Sequence, residues 1–341
     1  MKKDTVTKDY MSDAAVFADA FNYYIYGGEQ VILPEELAER DPTEIALPYG
    51  ADGAAVPIQR FRDVQKLYTA MTDGRAEYVL YGVENQAEIH YAMAVRNCLY
   101  DVLDYAGQVE EAAHSHRKAM KEAKGQKDST APNAEQEQEQ GRLPVKKPNA
   151  GEFLGGFWKE DRLIPSVTVT IYFGHEEWDG PLSLFDMMEV TDEKVLSCMD
   201  DYHVRLIAPA LMTDEDIMKF QSSLREVMLF IKHSKEKEVL NRIVDWDRAR
   251  FHRVERRAVD VINAITGAGL KYEESEVEVD VCKAIMDMRL ESEQIGRQMG
   301  EQAKAQESAE RFYNMGISVE KVAEGVGYDV DTVKKWLNLP T

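Results

Sequence analysis

The sequence predicts an α/β fold in which helices flank a mixed sheet and a helical C-terminal tail follows. Three observations carry this. An amphipathic helix pattern over 12–27 precedes two strand candidates, at 60–69 and 77–84. The run Ser166–Gly174 (SVTVTIYFG) is dense in β-branched and aromatic residues. The final third carries helical patterning to its end. The resulting order is helix, strand, strand, helix, long insertion, strand, strand, then helices, which lays helices against a mixed sheet.

Taken in order, 12–27 (SDAAVFADAFNYYIYG) reads as a helix with Ser12 as N-cap. Val16, Ala20, Tyr23 and Tyr24 fall at helical spacing before Gly27-Gly28 stops it. Residues 33–55, rich in Pro, Gly and acids, read as loop with one short helix. Residues 60–69 (RFRDVQKLYT) alternate, which suits a strand with Asp63 in its middle or a helical turn. Residues 77–84 (EYVLYGVE) form a nearly continuous apolar run with a polar end. A helix over 88–110 follows, with Ile89, Met93, Cys98, Val102 and Tyr105 on its apolar side. Residues 111–150 lack aromatics, include EQEQEQ and hold 8 basic and 6 acidic residues. They bury too little apolar surface to offset the entropy of ordering, so an exposed helical extension should lead into a flexible insertion. After Ser166–Gly174 come a strand at His203–Ala208 and helices at 214–232 and 238–266. The expected organisation is a core of 12–110 with 151–232, the insertion 111–150, a helical extension 233–300 and a tail 301–341.

The chain has 341 residues, 41 Lys plus Arg and 62 Asp plus Glu, for a net charge of −21. At 44% hydrophobic and 30% charged residues it has the composition of an ordinary folded protein. Nothing in it approaches the roughly 18 consecutive apolar residues of a membrane helix, and the charged start leads into no signal-peptide core. A soluble, cytoplasmic protein with no membrane partner is expected. Cys98, Cys198 and Cys282 lie far apart, which indicates neither a disulfide framework nor a CxxC zinc site. The acidic balance argues against a generic nucleic-acid coat, because non-specific DNA binding runs on clustered Lys and Arg. The glycines of YGADG (49–53) lack phosphate-loop spacing and a following Lys-Ser/Thr, so no nucleotide cofactor is expected.

Chemistry concentrates at Asp63 and, 21 residues on, at Glu84-Asn85-Gln86. Alternation in a strand points Glu84 and Gln86 the same way. If the two strands pair, Asp63 comes to lie beside Glu84. Two carboxylates at a sheet edge suit Mg²⁺, a hard cation with oxygen ligands. Such a cation polarises a phosphodiester and activates a water. The same two acids also read as ordinary solvated or ion-paired groups.

The run Arg62-Asp63-Val64, then Tyr78-Val79-Leu80-Tyr81-Gly82-Val83-Glu84-Asn85-Gln86, then Met93, Arg96 and Tyr100-Asp101 resembles the Rpn/YhgA-like recombination-promoting nuclease and transposase family of the PD-(D/E)XK nuclease superfamily. VTVTIYFG with Trp178-Asp179-Gly180-Pro181, and DYHVRLI at 201–207, extend the likeness over about 14–265. The resemblance implies a restriction-endonuclease-like core and Mg²⁺- or Mn²⁺-dependent cleavage of DNA. Asp63 and Glu84 would then be metal ligands, with Asp19 completing the set. Gln86 would stand where the superfamily carries lysine, and Arg96 and Tyr100 would face phosphate. No Pro precedes Asp63. Without the lysine a transition-state cation is missing, which leaves open a degenerate nuclease fold that binds DNA or protein without cutting.

Other segments carry weaker signals. Between Lys232 and Arg257 there are 9 basic and 5 acidic residues, and Arg250, Arg253 and Arg257 fall on one face if the segment is helical. That face is either a DNA-phosphate stripe or a solvated helix side. Phe312–Leu337 reads as helix, turn, helix, with Ser318 and Asp329 as caps and Gly325-Val326-Gly327 as the turn. Its spacing fits major-groove docking, but 301–341 holds 5 basic and 7 acidic residues, which suits a packing hairpin equally. The helix before it, with Gly296 and Gly300, reads as an exposed arm for self-association into a homo-oligomer. Trp246 reads as an anchor in a polar helix face, and His114 with His116 as no metal site.

Overall fold

The computed structural model describes residues 3–39, 43–46, 58–61, 63–72, 75–128, 147–189, 192–273 and 275–339. Two compact units are formed, 1–246 with 254–269 and 247–253 with 270–341.

The first unit opens with α1 (Lys3–Met11), a helix absent from the sequence prediction, which buries Val6, Thr7, Tyr10 and Met11. Helix α2 (Ala14–Tyr26) follows. Asp13 rather than Ser12 caps it, its Oδ1 accepting from the N–H groups of Ala15 (2.9 Å) and Val16 (3.3 Å). Ser12 instead closes α1 by donating to the Asp9 carbonyl at 2.6 Å. Gly27, at φ 65°, ends α2 in the left-handed region that a side chain would disfavour. Beyond a short turn at Pro34–Glu36 lie β1 (Leu37–Glu39) and β2 (Thr43–Ala46). The rest of the predicted 33–55 loop is outside the described residues.

The strand predicted over 60–69 is two strands, β3 (Ile58–Phe61) and β4 (Val64–Thr72), and Asp63 sits at the break rather than in mid-strand. Its carboxylate accepts the N–H of Asn85 at 2.8 Å, a side chain standing in for a ladder carbonyl. Next, β5 (Arg75–Gln86) pairs antiparallel with β4, Val64 opposite Val83 through Thr72 opposite Arg75. Helix α3 (Met93–Asp128) runs well past the predicted end at 110, because 111–124 contains good helix formers and no Gly or Pro. Its distal half packs against the chain around α4 (Ala150–Gly155): His116 stacks on Trp158 at 3.8 Å and meets Asp161 at 2.8 Å. Residues 129–146, the centre of the predicted flexible insertion, are outside the described residues.

Strand β6 (Ser166–Tyr172) runs parallel to β5, with Glu84 opposite Thr170, and β7 (Leu206–Ile207) runs parallel to β6. The predicted 203–208 strand is shorter because His203 instead bridges Ser183. The result is a five-stranded mixed sheet ordered β1-β4-β5-β6-β7, while β2 and β3 form a separate pair. Helices α5 (Glu193–Leu196), α6 (Asp214–Ile217), α7 (Leu224–Lys232) and α8 (Lys237–Trp246) follow. Short α9 (Arg248–Phe251) belongs to the second unit and α10 (Arg256–Thr266) to the first.

Two helices define the faces of this sheet. Helix α3 is joined to β6 by polar bonds: Asn97 donates to Thr170 (2.8 Å), Thr168 to Asp101 (2.6 Å) and the Ser166 N–H to Tyr105 (3.0 Å). Tyr202 donates to the other Asp101 oxygen at 2.6 Å, and burial with that neighbour pushes its phenol well up. Helix α2 covers the opposite face. There the buried Lys66 ammonium of β4 lies 5.6 Å from the Phe17 ring centroid and 3.6 Å from Glu39.

In the second unit, α11 (Val281–Asn314), α12 (Val319–Val326) and α13 (Val330–Trp336) enclose a small core of Ala309, Val322, Ala323 and Val333. Asp329 caps α13 through the Thr332 N–H at 2.8 Å, whereas Ser318 makes no side-chain cap bond. Gly327, at φ 76°, makes the turn. The middle of α11 leaves Met286, Leu290, Ile295 and Met299 exposed. Among the described residues no helix is long and apolar enough to cross a membrane.

Candidate functional site

The β4–β5 register brings the stretches that carry the two predicted carboxylates side by side. With Val64 opposite Val83, one further step places Asp63 opposite Glu84 at the end of the ladder. The bond from the Asn85 N–H to Asp63 Oδ2 holds that end closed. Glu84 is fully buried, and β5 continues without interruption to Gln86, so the two side chains share a face by strand alternation. At Gln86 the backbone carbonyl accepts the Phe173 N–H at 2.8 Å, which carries the parallel pairing one residue past β6.

That face is covered by the first turns of α3, and there Arg96 meets the pair. Its Nη2 is 2.8 Å from Glu84 Oε2, and its Nε donates to the Tyr100 hydroxyl at 3.3 Å while the guanidinium lies 5.6 Å from that ring's centroid. Arg96 and Tyr100 are thus one helical turn apart and joined, as their spacing predicts. Burial opposes the Arg96 charge, yet Glu84, Tyr100 and Asp63 together hold its pKa above the ordinary value. Burial raises the Asp63 carboxyl above its usual range, against the opposing pull of the Asn85 N–H, Arg96 and Lys8. Tyr100 is likewise raised, by burial and then by Glu84. Lys8 and Asp4 of α1 act on Asp63 as well. No sequence pattern points to them, because that segment is short and charged.

Asp19 does not join this pair. Its Oδ2 accepts from the N–H groups of Gln221 (2.9 Å) and Ser222 (2.8 Å) and from the Ser222 hydroxyl (2.7 Å), ordering the turn before α7. Among the described residues, the one group of three potential metal ligands within reach of each other is His252, Asp280 and Cys282, not the three acids. The reason lies in the sheet. Lys66, opposite Tyr81, points to α2; Glu84, three residues after Tyr81, points to the other face and to α3. Asp19, on α2, belongs to the side away from Glu84.

The arginine stripe is also broken. Arg250 lies on α9, Arg253 after its end and Arg257 on α10, so no single helix aligns them. Arg253 forks onto Glu278 at 2.7 and 3.2 Å, and Arg257 lies 3.6 Å from Asp9. The acidic surplus of the chain has neutralised these two cations locally. Trp246, expected as an anchor, is 69% exposed. Trp178, by contrast, packs with Met93, Ala94 and Tyr172, and its indole N–H donates to the Gly180 carbonyl at 2.9 Å, so the WDGP motif builds the core beneath α3.

A cavity of about 210 Å³ lies elsewhere, between the distal half of α3 and α4, lined by His116, Arg117, Met120, Glu152, Phe153 and Trp158 among others. It contains none of the predicted site residues. Of the predicted site residues, Glu84, Arg96 and Tyr100 form one bonded cluster, with Asp63 held on the Asn85 N–H beside it. Comparison of the chain with protein-family models, with curated proteins and with solved structures finds no match.

Proposed function

We propose that the chain is a nuclease of the PD-(D/E)XK type, related to the Rpn/YhgA-like recombination-promoting nucleases, which hydrolyses DNA phosphodiester bonds with Mg²⁺ or Mn²⁺. The observation that carries this reading is the β4–β5 register, which runs to Val64 opposite Val83 and leaves Asp63 and Glu84 next in line, with the Arg96 cation acting on both. The donor set fits a hard cation, because both predicted ligands are carboxylates. A burial-raised Asp63 is the kind of group whose ionisation a divalent cation favours. Asp63 and Glu84 would hold the metal, which when bound supplies a Lewis acid and an activated water.

The chain's own residues do the rest. Asn85 fixes Asp63 through its backbone N–H. Arg96 holds Glu84 and offers a guanidinium to a phosphate oxygen, partly making up for the uncharged Gln86. Gln86 orients the attacking water by hydrogen bonding but removes no proton. Without a cation, the two acids and the −21 net charge repel DNA, so affinity should rise with Mg²⁺.

One observation favours a second reading, a degenerate fold that binds without cutting: Arg96 already gives Glu84 its counter-charge at 2.8 Å. Nicking of supercoiled plasmid separates the two. With Mg²⁺, nicking by the wild type and none by Asp63→Ala or Glu84→Ala supports the nuclease. A well-folded wild type inert with both Mg²⁺ and Mn²⁺ overturns it in favour of the binding module.

A further inference from the structure

We infer that His252, Asp280 and Cys282 form a binding site for a zinc-class transition-metal ion, separate from the carboxylate pair and independent of the nuclease reading. The imidazole, carboxylate and thiol each bring one donor atom, and the three atoms lie within 4.8 Å of one another. All three belong to the second unit. Their sequence positions gave no sign of this, because 28 residues separate His252 from Asp280 and no CxxC or HxxxH spacing is present.

The site is held in place before any ion arrives. Asp280 is the N-cap of α11, its Oδ1 accepting from the Lys283 N–H at 2.9 Å, which aims Oδ2 outward. Oδ2 meets His252 Nδ1 at 2.8 Å. Cys282 follows two residues later in the first turn of the same 34-residue helix, where the helix dipole favours anionic groups. On the other side, the fork of Arg253 onto Glu278 ties down the segment that carries His252. Two anchored stretches of chain thus present three donors of different type. His252 is 41% and Asp280 35% exposed, so an ion can reach them from solvent.

The donor set selects the metal. A thiol with an imidazole and one carboxylate suits Zn²⁺ or Co²⁺ and is a poor match for Mg²⁺, which prefers oxygen alone. Three protein ligands leave a fourth tetrahedral position for water. The 2.8 Å between Nδ1 and Oδ2 is a hydrogen-bond distance. Tetrahedral zinc bonds of about 2.0–2.1 Å separate such donors by roughly 3.3 Å, so the ion enters with a small opening of the pair.

The protons balance as follows. Arg248 Nε donates to His252 Nε2 at 3.2 Å, which makes Nε2 an acceptor and puts the imidazole proton on Nδ1. When the metal takes Nδ1, that proton passes through solvent to Nε2 and Arg248 lets go. Cys282 releases its thiol proton, so one proton leaves per ion bound.

Titration of the chelator-treated full chain with Co²⁺ tests the site. With excess Mg²⁺ present to occupy the carboxylate pair, the expected result is one Co²⁺ per chain with a thiolate-to-cobalt charge-transfer band that Zn²⁺ displaces. Cys282→Ser and His252→Ala should abolish the band and weaken binding beyond the roughly 10–100-fold that loss of an outer-shell partner costs. Asp280→Asn keeps a capping oxygen for α11 and should weaken binding without unfolding, as followed by circular dichroism. No band in the wild type, a band that survives Cys282→Ser and so arises at Cys98 or Cys198, or loss of the charge-transfer band on adding Mg²⁺ would each overturn the assignment.

Discussion

Replacing Arg96 by methionine tests whether the site is an electrostatic unit. Glu84 is fully buried in β5, and Arg96, 32% exposed, stands 2.8 Å from its carboxylate. Methionine keeps much of the stem's volume but leaves a buried carboxylate without that cation. Breaking a buried pair from one side costs roughly 3–5 kcal/mol, and the partial exposure of Arg96 places this case near about 3 kcal/mol. For a unit of this size that corresponds to a fall of about 6–10 °C in melting temperature. The assay is a double-mutant cycle by urea or thermal unfolding with Arg96→Met, Glu84→Gln and the double variant. The double variant should recover at least about 1 kcal/mol relative to the sum of the single losses. Additivity within about 0.5 kcal/mol would show that the two side chains do not act on each other and would refute the argument.

Three further outcomes follow from particular contacts. Asp63→Asn keeps an oxygen for the Asn85 N–H but removes a carboxyl that burial holds above its ordinary 3.8. The folded chain therefore binds this proton more tightly than the unfolded one, a penalty absent below 3.8 that grows as pH rises through the raised value. The variant should melt higher than the wild type at neutral pH, with the gap closing on acidification and nicking lost. Asp19→Ala removes three hydrogen bonds from the turn before α7 and should cost about 2–3 kcal/mol in urea unfolding. The Mg²⁺ dependence of any cleavage should be unchanged in that variant, and a shifted dependence would return Asp19 to the metal site. Val333→Ala, at the centre of the small core of α11–α13, should cost about 1.5–2.5 kcal/mol. Hydrogen exchange should show that loss within residues 309–337 and leave β4, β5 and β6 unaffected.

The elements most legible in the sequence are those whose signal is local. The nearly continuous apolar run that ends at Glu84 and the β-branched run from Ser166 announce strands, because apolar clustering and β-branched sterics act over a few residues. The same holds for the tail hairpin, where Asp329 as cap and Gly327 as turn are short-range choices. It holds too for Arg96 and Tyr100, one helical turn apart. What only the tertiary structure decided is which of these residues meet. Local pattern left 60–69 ambiguous, and the break at Asp63 arises from a bond to Asn85, 22 residues away. Asp19 looks like a third acid of the site until the sheet puts α2 and α3 on opposite faces and ties it to Ser222, 203 residues on. Arg250, Arg253 and Arg257 share a face only in an unbroken helix, and the chain leaves helical geometry between Phe251 and Arg256. His252, Asp280 and Cys282 have no shared spacing and are brought together by packing around the first turn of α11. Side-chain periodicity is set by bonds between near neighbours and can be read from a short window. Strand register, sheet face and the meeting of distant acids and cations depend on the burial of the whole chain.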